Sequence, residues 1–315
     1  MRKRPLGKTG TFVTEMTLGT WGLSGDGYTP PIDPDEAERV IARAVDIGIR
    51  AVDTSDAYGA GKMEALLGKA LASHPDVTIV TKGGTDRTCD PPRKRFDAAY
   101  LRGAVERSLK RLARDRIDVY LLHNPSSESL SLGEATETMA ALKTEGKIAH
   151  WGVSVGDAAT AKLAIDFGAE AIEIAYNLFH AIDLHRIAGD VMVGGAGVFA
   201  RSPLAYGLLA GQWTSERLFP AGDHRADRWT HADLEKRVRD LDAIRFLVKD
   251  DVPTMRGAAI RYVLANHLVS SAVIGPRTVT QLEQLVRETG SGPIYLPDKD
   301  LATLPRALGK IGIPL

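Results

Sequence analysis

Short apolar segments alternate along the chain with longer segments whose apolar residues recur every three or four positions. The short segments are typical of strands buried on both faces, and they cover residues 16–19, 49–54, 77–82, 119–123, 149–154, 171–176, 197–200 and 272–275. The longer segments predict amphipathic helices over residues 35–47, 63–72, 97–112, 132–145, 157–167, 184–188, 255–266 and 280–287. Strand and helix therefore alternate eight times.

This alternation predicts an α/β fold of the (β/α)8 TIM barrel type. A TIM barrel needs roughly 250 residues, so the chain of 315 residues is long enough to be a single domain spanning residues 1–315. The main alternative is an open doubly wound sheet, which would carry a Gly-x-Gly-x-x-Gly loop after its first strand. Leu18-Gly19-Thr20-Trp21-Gly22 lacks that spacing, which favours the barrel.

Two segments exceed what the barrel needs. Residues 4–14, with a Gly7-Lys8-Thr9-Gly10 turn, predict an N-terminal β-hairpin that closes the barrel floor. Residues 212–251 form a long insertion after the seventh strand, with a polar loop followed by an amphipathic helix at about residues 232–248. Long loops in compact domains are often lids, so this insertion is a candidate lid.

Composition limits the classes of partner. Lys plus Arg and Asp plus Glu both number 40, so no excess charge favours a nucleic acid or an anionic membrane surface as a partner. A run of about 18 apolar residues is absent, and the basic N-terminus is not followed by an apolar stretch, so a cytoplasmic location is expected. The one cysteine, Cys89, excludes an intrachain disulfide, and no His/Cys cluster has the spacing of metal ligands.

Polar residues follow several apolar runs at the point where each predicted strand ends. Asp53 lies at the end of the second run and Tyr58 follows it, Lys82 ends the third run and His123 ends the fourth. The carboxyl ends of barrel strands share one rim, which is where the chemistry of this fold occurs. A phenol beside an ammonium and an imidazole can give a proton to a carbonyl oxygen, so these four residues predict an acid–base site in an enzyme.

Motifs along nearly the whole chain resemble those of the aldo-keto reductase superfamily. They are Pro5-Leu6-Gly7-Lys8-Thr9-Gly10, Leu18-Gly19-Thr20-Trp21-Gly22, Asp53-Thr54-Ser55-Asp56-Ala57-Tyr58-Gly59, Leu66-Leu67-Gly68-Lys69-Ala70-Leu71, Thr81-Lys82, Leu122-His123, Gly152-Val153-Ser154, Tyr176-Asn177 and Pro203-Leu204-Ala205-Tyr206-Gly207-Leu208-Leu209-Ala210-Gly211. The resemblance implies a barrel that binds a nicotinamide dinucleotide, usually phosphorylated, and reduces carbonyls to alcohols.

In this resemblance Tyr58 is the general acid, with Asp53, Lys82 and His123 as its partners. A tyrosine pKa is ordinarily about 10, and the Lys82 ammonium is expected to lower the pKa of Tyr58 by favouring the phenolate. Asp53 is expected to keep Lys82 charged and in place. Tyr58 and His123 would then donate to the oxygen on which charge develops in the transition state.

The same resemblance assigns a set of cofactor contacts. They are Thr20, Trp21, Asp53, Ser154, Glu173, Tyr176, Arg201, Ser202, Leu204, Gly207, Gly275, Arg277 and Gln281. Two positions depart from the usual pattern, because Glu173 stands where glutamine is common and Val155 where asparagine is common. Glu173 either accepts from the nicotinamide carboxamide, with Arg201 balancing its charge, or points away and pairs with a structural cation.

Basic residues bear on the choice of cofactor and substrate. Arg277, just before the last predicted helix, can bind a 2′-phosphate, and the helix N-terminus can help to hold a phosphate group. NADP(H) is therefore the expected cofactor, with NAD(H) as the alternative. Arg93-Lys94-Arg95 is interpreted as a solvated loop, the alternative being a basic border of the site that favours anionic substrates.

Three functions are compatible with these residues. The favoured one is an NADP(H)-dependent reductase of a small aldehyde or ketone. The second is an NAD-dependent sugar or alcohol dehydrogenase of the same fold. The third is a cofactor-bound regulatory subunit resembling the potassium-channel β subunits of this superfamily, against which the complete set of four acid–base residues argues. The identity of the substrate and the oligomeric state stay open at this point.

Overall fold

The computed structural model describes residues 1–290, 292 and 295–315. Two antiparallel strands, β1 (Lys3–Pro5) and β2 (Phe12–Thr14), form the predicted N-terminal hairpin. Eight parallel strands follow: β3 (Met16–Gly19), β4 (Ala51–Asp53), β5 (Thr78–Gly83), β8 (Ile117–His123), β9 (Ile148–Ser154), β10 (Ala171–Ala175), β11 (Gly197–Arg201) and β12 (Val269–Ile274). They close into a barrel in the order β3-β4-β5-β8-β9-β10-β11-β12, which confirms the predicted TIM barrel.

A further pair of strands, β6 (Thr85–Asp86) and β7 (Arg93–Lys94), forms a small antiparallel hairpin above the end of β5. The basic segment that was interpreted as a solvated loop therefore belongs in part to a hairpin. The hairpin's register places Thr85 opposite Lys94 and fixes both side chains near the barrel rim.

Helices cover the outside of the barrel. They are α1 (Pro34–Asp46), α2 (Lys62–Ala70), α3 (Ala98–Leu112), α4 (Ser127–Ser131), α5 (Glu134–Thr144), α6 (Ala158–Asp166), α7 (Ile182–Arg186), α8 (Ala188–Gly194), α9 (His231–Asp240), α10 (Met255–Ala265), α11 (Val279–Thr289) and α12 (Asp298–Gly309). Side-chain caps set several starts; for example, the Asp97 carboxylate accepts from the backbone N–H of Tyr100 at the start of α3. None of the helices in the described part of the chain is long and apolar enough to cross a membrane.

The barrel interior is a closed apolar core whose lower end is filled by the hairpin. Leu6 and Val13 from the hairpin are buried in one cluster with inward-facing strand residues such as Val119 and Phe199. Gly7 is required in this plug, because its φ of +54° favours glycine and a Cβ there would lie 2.1 Å from the carbonyl oxygen of Gly195. The predicted closure of the barrel floor is confirmed by these contacts.

The insertion between β11 and α10 differs from its prediction. The single helix expected at residues 232–248 is instead α9, which ends at Asp240, followed by a 3₁₀ segment, Leu241–Leu247. Leu241, Ile244 and Leu247 are buried and three residues apart, which matches the three residues per turn of a 3₁₀ helix better than an α-helical period. Tighter winding therefore keeps all three leucine and isoleucine side chains on the core side.

Candidate active site

The carboxyl ends of the barrel strands bring the four predicted acid–base residues to one rim. Asp53 ends β4, Lys82 is the next-to-last residue of β5 and His123 ends β8. Tyr58 follows β4 at the start of a 3₁₀ turn, Tyr58–Gly61. The Lys82 Nζ lies 5.5 Å from the centroid of the Tyr58 ring, so the ammonium and the phenol are neighbours.

A buried triad of charges lies beneath Tyr58. The Lys82 Nζ donates to Asp53 Oδ2 at 2.5 Å and to the carbonyl oxygen of Thr54 at 3.0 Å. It also lies 3.2 Å from Glu173 Oε2. Glu173 therefore pairs with a cation, as one of the two interpretations of this residue predicted. The cation is Lys82, which is itself one of the four acid–base residues. The other carboxylate oxygen of Glu173 accepts from the Ser154 hydroxyl at 2.9 Å.

One ammonium between two carboxylates shifts the pKa of each member of the triad. Burial and the charge of Glu173 raise the pKa of Asp53 well above its usual range, against the opposing effect of Lys82. Burial disfavours the Lys82 ammonium, but Asp53 and Glu173 outweigh it and raise the pKa of Lys82. Lys82 consequently stays charged at neutral pH, as predicted. Its single positive charge faces two carboxyl groups, those of Asp53 and Glu173.

The Tyr58 phenol remains protonated at neutral pH. Burial raises its pKa, and the lowering effect of Lys82 is smaller than that rise. Lys82 does lower the pKa of Tyr58, as expected. The net pKa is nevertheless raised, because the phenol is desolvated and also faces the negative charges of Asp53 and Glu173. Among the described residues the Tyr58 Oη has no hydrogen-bond partner, so it is free to donate to a ligand.

His123 stands beside Tyr58 as a neutral imidazole. The two rings are 6.1 Å apart and nearly perpendicular at 86°. Burial, with the charges of Lys82 and Lys94, lowers the pKa of His123 to about 3. The Ser55 Oγ lies 3.0 Å from His123 Nδ1 and 3.2 Å from the carbonyl oxygen of Lys82, so Ser55 orients the ring, and in the tautomer with its hydrogen on Nε2 that nitrogen can donate to a substrate oxygen. Sequence reasoning missed Ser55, although its hydroxyl lies within the Asp53 to Gly59 motif.

The backbone on both sides of Tyr58 is fixed by an ion pair. Asp26 Oδ2 accepts from the backbone N–H of Gly59 at 2.7 Å and from Arg87 at 3.1 Å. Arg87 also donates to the carbonyl oxygen of Ala57 at 2.5 Å. The residues directly before and after Tyr58 are thus both held by this pair. Neither Asp26 nor Arg87 carried a sequence signal for that role.

This ion pair leads to a prediction about Asp26. Asp26→Ala should lower kcat roughly tenfold to a hundredfold, because losing both contacts lets the Tyr58 segment move and a shift of about 1 Å in a catalytic group can cost that much. Asp26→Asn keeps an acceptor for Gly59 but loses the charge facing Arg87, so an intermediate loss is expected. Steady-state kinetics with separate measurement of cofactor affinity checks the order. Asp90→Ala, in the exposed hairpin loop, is the control, and equal kcat values in all variants would contradict the role.

Asp53, Tyr58 and His123 line a cleft of about 1210 Å³. Most of the predicted site residues line it, namely Trp21, Asp53, Tyr58, His123, Ser154, Glu173, Arg201, Ser202, Leu204, Gly207, Gly275, Arg277 and Gln281. The lining residues that sequence reasoning did not assign include Asp26, Tyr28, Arg87, Lys94, Asn124, Tyr206, Trp213, Arg217, Arg225, Arg228, Arg256 and Gln284. Many of these are basic, and most come from loops whose course the sequence pattern does not predict.

Three predicted site residues do not line the cleft. Tyr176 packs in the core, where its ring stacks on Tyr262 at 5.3 Å and its Oη accepts from Asn266 at 3.1 Å, and its contact with a cofactor stays a prediction. Thr20 is fully buried and its hydroxyl donates to the carbonyl oxygen of Asp53 at 2.9 Å, so its side chain supports Asp53. Lys82 is also buried, beneath Asp53 and Tyr58.

Arg277 stands at the far end of the cleft without an acidic partner in the described structure. Its guanidinium donates to the carbonyl oxygen of Pro30 at 2.7 Å and lies 4.7 Å from the centre of the Tyr28 ring. The Gln281 side chain accepts from the backbone N–H of Arg277 at 2.8 Å. The N-terminus of α11 is partly occupied, since the backbone N–H of Val279 donates to Glu36. Arg277 is therefore better placed than the helix N-terminus to receive an anion.

The insertion packs over one side of the cleft through aromatic contacts. His224 lies 4.6 Å from Trp21 and 4.8 Å from Tyr28, and its backbone N–H donates to the carbonyl oxygen of Gly27. Burial and the charge of Arg228 lower the pKa of His224 to about 4, so the ring is neutral at physiological pH. The insertion is thereby fastened to the loop after β3 and forms a wall of the cleft.

Family comparison agrees with the fold. The aldo/keto reductase family matches residues 15–305. The protein belongs to the aldo/keto reductase family. It is therefore a member of a family of oxidoreductases, built on the closed parallel barrel described above.

Relatives with similar sequences include a protein named as an oxidoreductase and one named as a channel subunit. The uncharacterized oxidoreductase YrpG of Bacillus subtilis (strain 168) is 31% identical over 304 residues, with 90% of this chain and 89% of YrpG covered. A probable voltage-gated potassium channel subunit beta of Arabidopsis thaliana is 24% identical, with 94% of each chain covered.

Two solved structures resemble the whole barrel. The holo form of the aldo-keto reductase AKR11C1 from Bacillus halodurans matches with a TM-score of 0.81 and 26% identity, over 98% of this chain and 96% of that one. The glycerol dehydrogenase AKR11B4 from Gluconobacter oxydans matches with a TM-score of 0.85 and 26% identity, over 99% of this chain and 97% of that one.

Proposed function

We propose that the protein is an NADP(H)-dependent oxidoreductase that reduces a small aldehyde or ketone to the alcohol, with Tyr58 as general acid. The observation that carries the proposal is a protonated phenol free to donate into the cleft, beside a neutral His123 and above a charged Lys82. Substrate oxygen between Tyr58 and His123 would meet two donors, as carbonyl reduction requires.

The cleft fits a nicotinamide dinucleotide in size and charge. Its volume of about 1210 Å³ is larger than the roughly 300–1,000 Å³ typical of small-molecule pockets, as an extended dinucleotide needs. Glu173 Oε2 is a buried oxygen that accepts no hydrogen bond, although the Lys82 Nζ lies 3.2 Å from it, and the other oxygen of the same carboxylate meets Ser154 where the nicotinamide carboxamide is proposed to bind. Arg201 and Arg277 line the same cleft without a carboxylate partner in the described residues. The similar structure of AKR11C1 is a holo form, so a related barrel holds a bound cofactor.

The proposed reaction uses these residues as follows. When bound, the reduced nicotinamide supplies a hydride to the carbonyl carbon. The carbon–oxygen π bond breaks toward oxygen, and the Tyr58 phenol transfers its proton to that oxygen, so the alcohol and a tyrosinate are formed. Lys82, held charged by Asp53 and Glu173, stabilises the tyrosinate until solvent returns a proton. His123 donates to the oxygen while its charge develops.

One of the similar structures favours the alternative direction. AKR11B4 is a glycerol dehydrogenase, so this fold is compatible with alcohol oxidation. An NAD-dependent sugar or alcohol dehydrogenase is therefore the second candidate. Glu173 does not favour it, because a negative charge that stabilises the cationic oxidised ring makes hydride transfer to a carbonyl more favourable.

The test is a turnover assay in both directions. Purified protein is given a panel of aldehydes and ketones with NADPH or NADH, and the matching alcohols with NADP⁺ or NAD⁺. The proposal expects faster carbonyl reduction with NADPH than with NADH. Faster alcohol oxidation with NAD⁺ would support the dehydrogenase. Cofactor binding without any turnover would instead favour a regulatory role like that of the potassium-channel β subunits, one of which is a relative.

Glu173 and Arg201 give a prediction about cofactor redox state. Glu173→Gln should shift relative affinity toward the reduced cofactor, and Arg201→Ala should shift it toward the oxidised cofactor, each by about 1 kcal/mol at an effective dielectric near 20. Titration of both cofactor forms by protein fluorescence measures the ratio. Glu170→Gln is the matched control, since Glu170 pairs with Lys143 and His150 at the other end of the barrel. Unchanged ratios in both variants would show that neither charge reaches the ring.

A further inference from the structure

Lys94 is carried to the rim by the β6–β7 hairpin and lines the cleft together with Tyr58 and His123. Its ammonium donates to the carbonyl oxygen of His123 at 2.6 Å and to the Thr85 hydroxyl at 2.8 Å. An ammonium has three N–H donors, so one donor of Lys94 is unused by these contacts. The lysine thus places a cation and a spare donor next to the acid–base pair.

The charge of Lys94 is not neutralised by the described part of the protein. Two neighbouring cations are each paired, Arg87 with Asp26 at 3.1 Å and Arg95 with Asp97 at 3.1 Å. No described carboxylate lies within 4 Å of the Lys94 Nζ. Burial lowers the pKa of Lys94 although much of the residue is exposed, and the more distant charge of Asp56 only partly opposes this. The ammonium is therefore partly dehydrated without an internal counter-charge, a state that a bound anion relieves.

Barrel topology separates Lys94 from the proposed cofactor site. Lys94 lies above β5 and β8, while Arg201 ends β11 and Arg277 follows β12. In the closed order of eight strands, β5 and β8 are opposite β11 and β12. A cofactor phosphate held by Arg277 therefore leaves Lys94 available for a second anion.

We infer that Lys94 binds an anionic group, carboxylate or phosphate, on the carbonyl substrate. The inference rests on the proposed function, and it narrows the substrate class to small aldehydes or ketones that carry a negative charge. The anion takes no part in the redox step; it anchors the substrate so that the carbonyl meets Tyr58 and His123. The inference corresponds to the second interpretation of Arg93-Lys94-Arg95, that of a basic border of the site.

A purely structural role for Lys94 is the rival explanation, because its bond to the His123 carbonyl oxygen supports the end of β8. Two variants separate the explanations. Lys94→Gln keeps an N–H donor but removes the charge, and Lys94→Arg keeps the charge. Arg93→Gln is the matched control, since Arg93 is the other exposed basic residue of β7 and does not line the cleft.

The experiment compares substrate pairs that differ only in charge. Succinic semialdehyde is paired with its methyl ester, and glyceraldehyde phosphate with glyceraldehyde. Lys94→Gln should lower the ratio of kcat/KM for the charged over the neutral member about ten- to a hundredfold, mainly through KM. Lys94→Arg should keep most of that ratio, and Arg93→Gln should keep all of it. The substrate pair with the larger drop in this ratio shows whether Lys94 prefers a carboxylate or a phosphate. Equal losses for charged and neutral substrates would establish the structural role and overturn the subsite.

A binding measurement distinguishes failure of the subsite from failure of the proposed function. Succinate and inorganic phosphate are titrated calorimetrically into the cofactor-saturated wild-type protein and into Lys94→Gln. At least one of the two anions is expected to bind Lys94→Gln more weakly than it binds the wild-type protein. This expectation holds whether or not the protein turns over any aldehyde. That result without turnover would retain the anion subsite and reject the reductase. Equal binding of both anions to the two proteins would reject the subsite.

Discussion

Replacing Tyr58 by phenylalanine should lower the rate of carbonyl reduction on the order of 10²–10⁴-fold, the usual contribution of general acid catalysis. The physical reason is specific to this site, because burial keeps the phenol protonated and its Oη is free to donate into the cleft. The substitution removes one oxygen and leaves the ring beside Lys82 and His123 in place. Cofactor affinity should therefore stay nearly unchanged.

Single-turnover kinetics with reduced cofactor, together with equilibrium titration of the cofactor, tests this expectation. Tyr100→Phe is the matched control, since Tyr100 lies on α3 and does not line the cleft. Wild-type turnover by Tyr58→Phe would remove Tyr58 from the mechanism. An equal loss in the Tyr100 variant would point to a general effect of the substitution on the barrel.

The second large effect concerns Arg277. Arg277→Ala should weaken NADP(H) about ten- to a hundredfold while affecting NAD(H) little, since a hydrogen bond to a charged group contributes about 1.5–3 kcal/mol and the 2′-phosphate exists in only one cofactor. Arg277 suits this role because its guanidinium contacts a carbonyl oxygen and an aromatic ring instead of a carboxylate. Its charge is consequently available to a ligand.

Dissociation constants for both cofactors, measured on the wild-type protein and the variant, decide the matter. Arg287→Ala, in the last turn of α11, changes the same charge away from the cleft and serves as the control. Equal weakening of the two cofactors by Arg277→Ala would place the 2′-phosphate elsewhere. Arg228 would then be the next residue to test, since it lines the cleft and stacks on Tyr206 at 3.7 Å.

The sequence predicted the barrel well because its strands are buried on both faces and its helices carry a regular apolar stripe. It failed where length or composition hides the pattern. Strands β6 and β7 have two residues each, which is too short for any periodicity to appear. Helix α12 contains Pro305, which reads as a helix breaker, although Leu304 and Leu308 beside it are buried.

The sequence could predict which residues of the candidate site lie at strand ends. It could not predict which side chains contact one another there. Asp53, Lys82 and His123 could be placed on one rim because parallel strands end together. Which cation Glu173 meets depends on side-chain packing across the barrel, so its pairing with Lys82 could not be read from spacing. The packing of Tyr176 was hidden for the same reason, since its position beyond β10 does not reveal that its ring turns into the core.

The lining of the cleft gives this neutral protein a directed electric field. Eight basic and three acidic side chains line the cleft, while the whole chain has 40 of each sign. Asp223 and Glu288 pair with Arg225 and Arg256 of this lining, so the cleft keeps an excess of positive charge that is smaller than the lining alone suggests. Such a field attracts anions over about 8 Å at physiological ionic strength and raises their association rate, without changing the chemical step. Balanced overall composition is thus compatible with a locally basic cleft that favours the approach of anionic ligands.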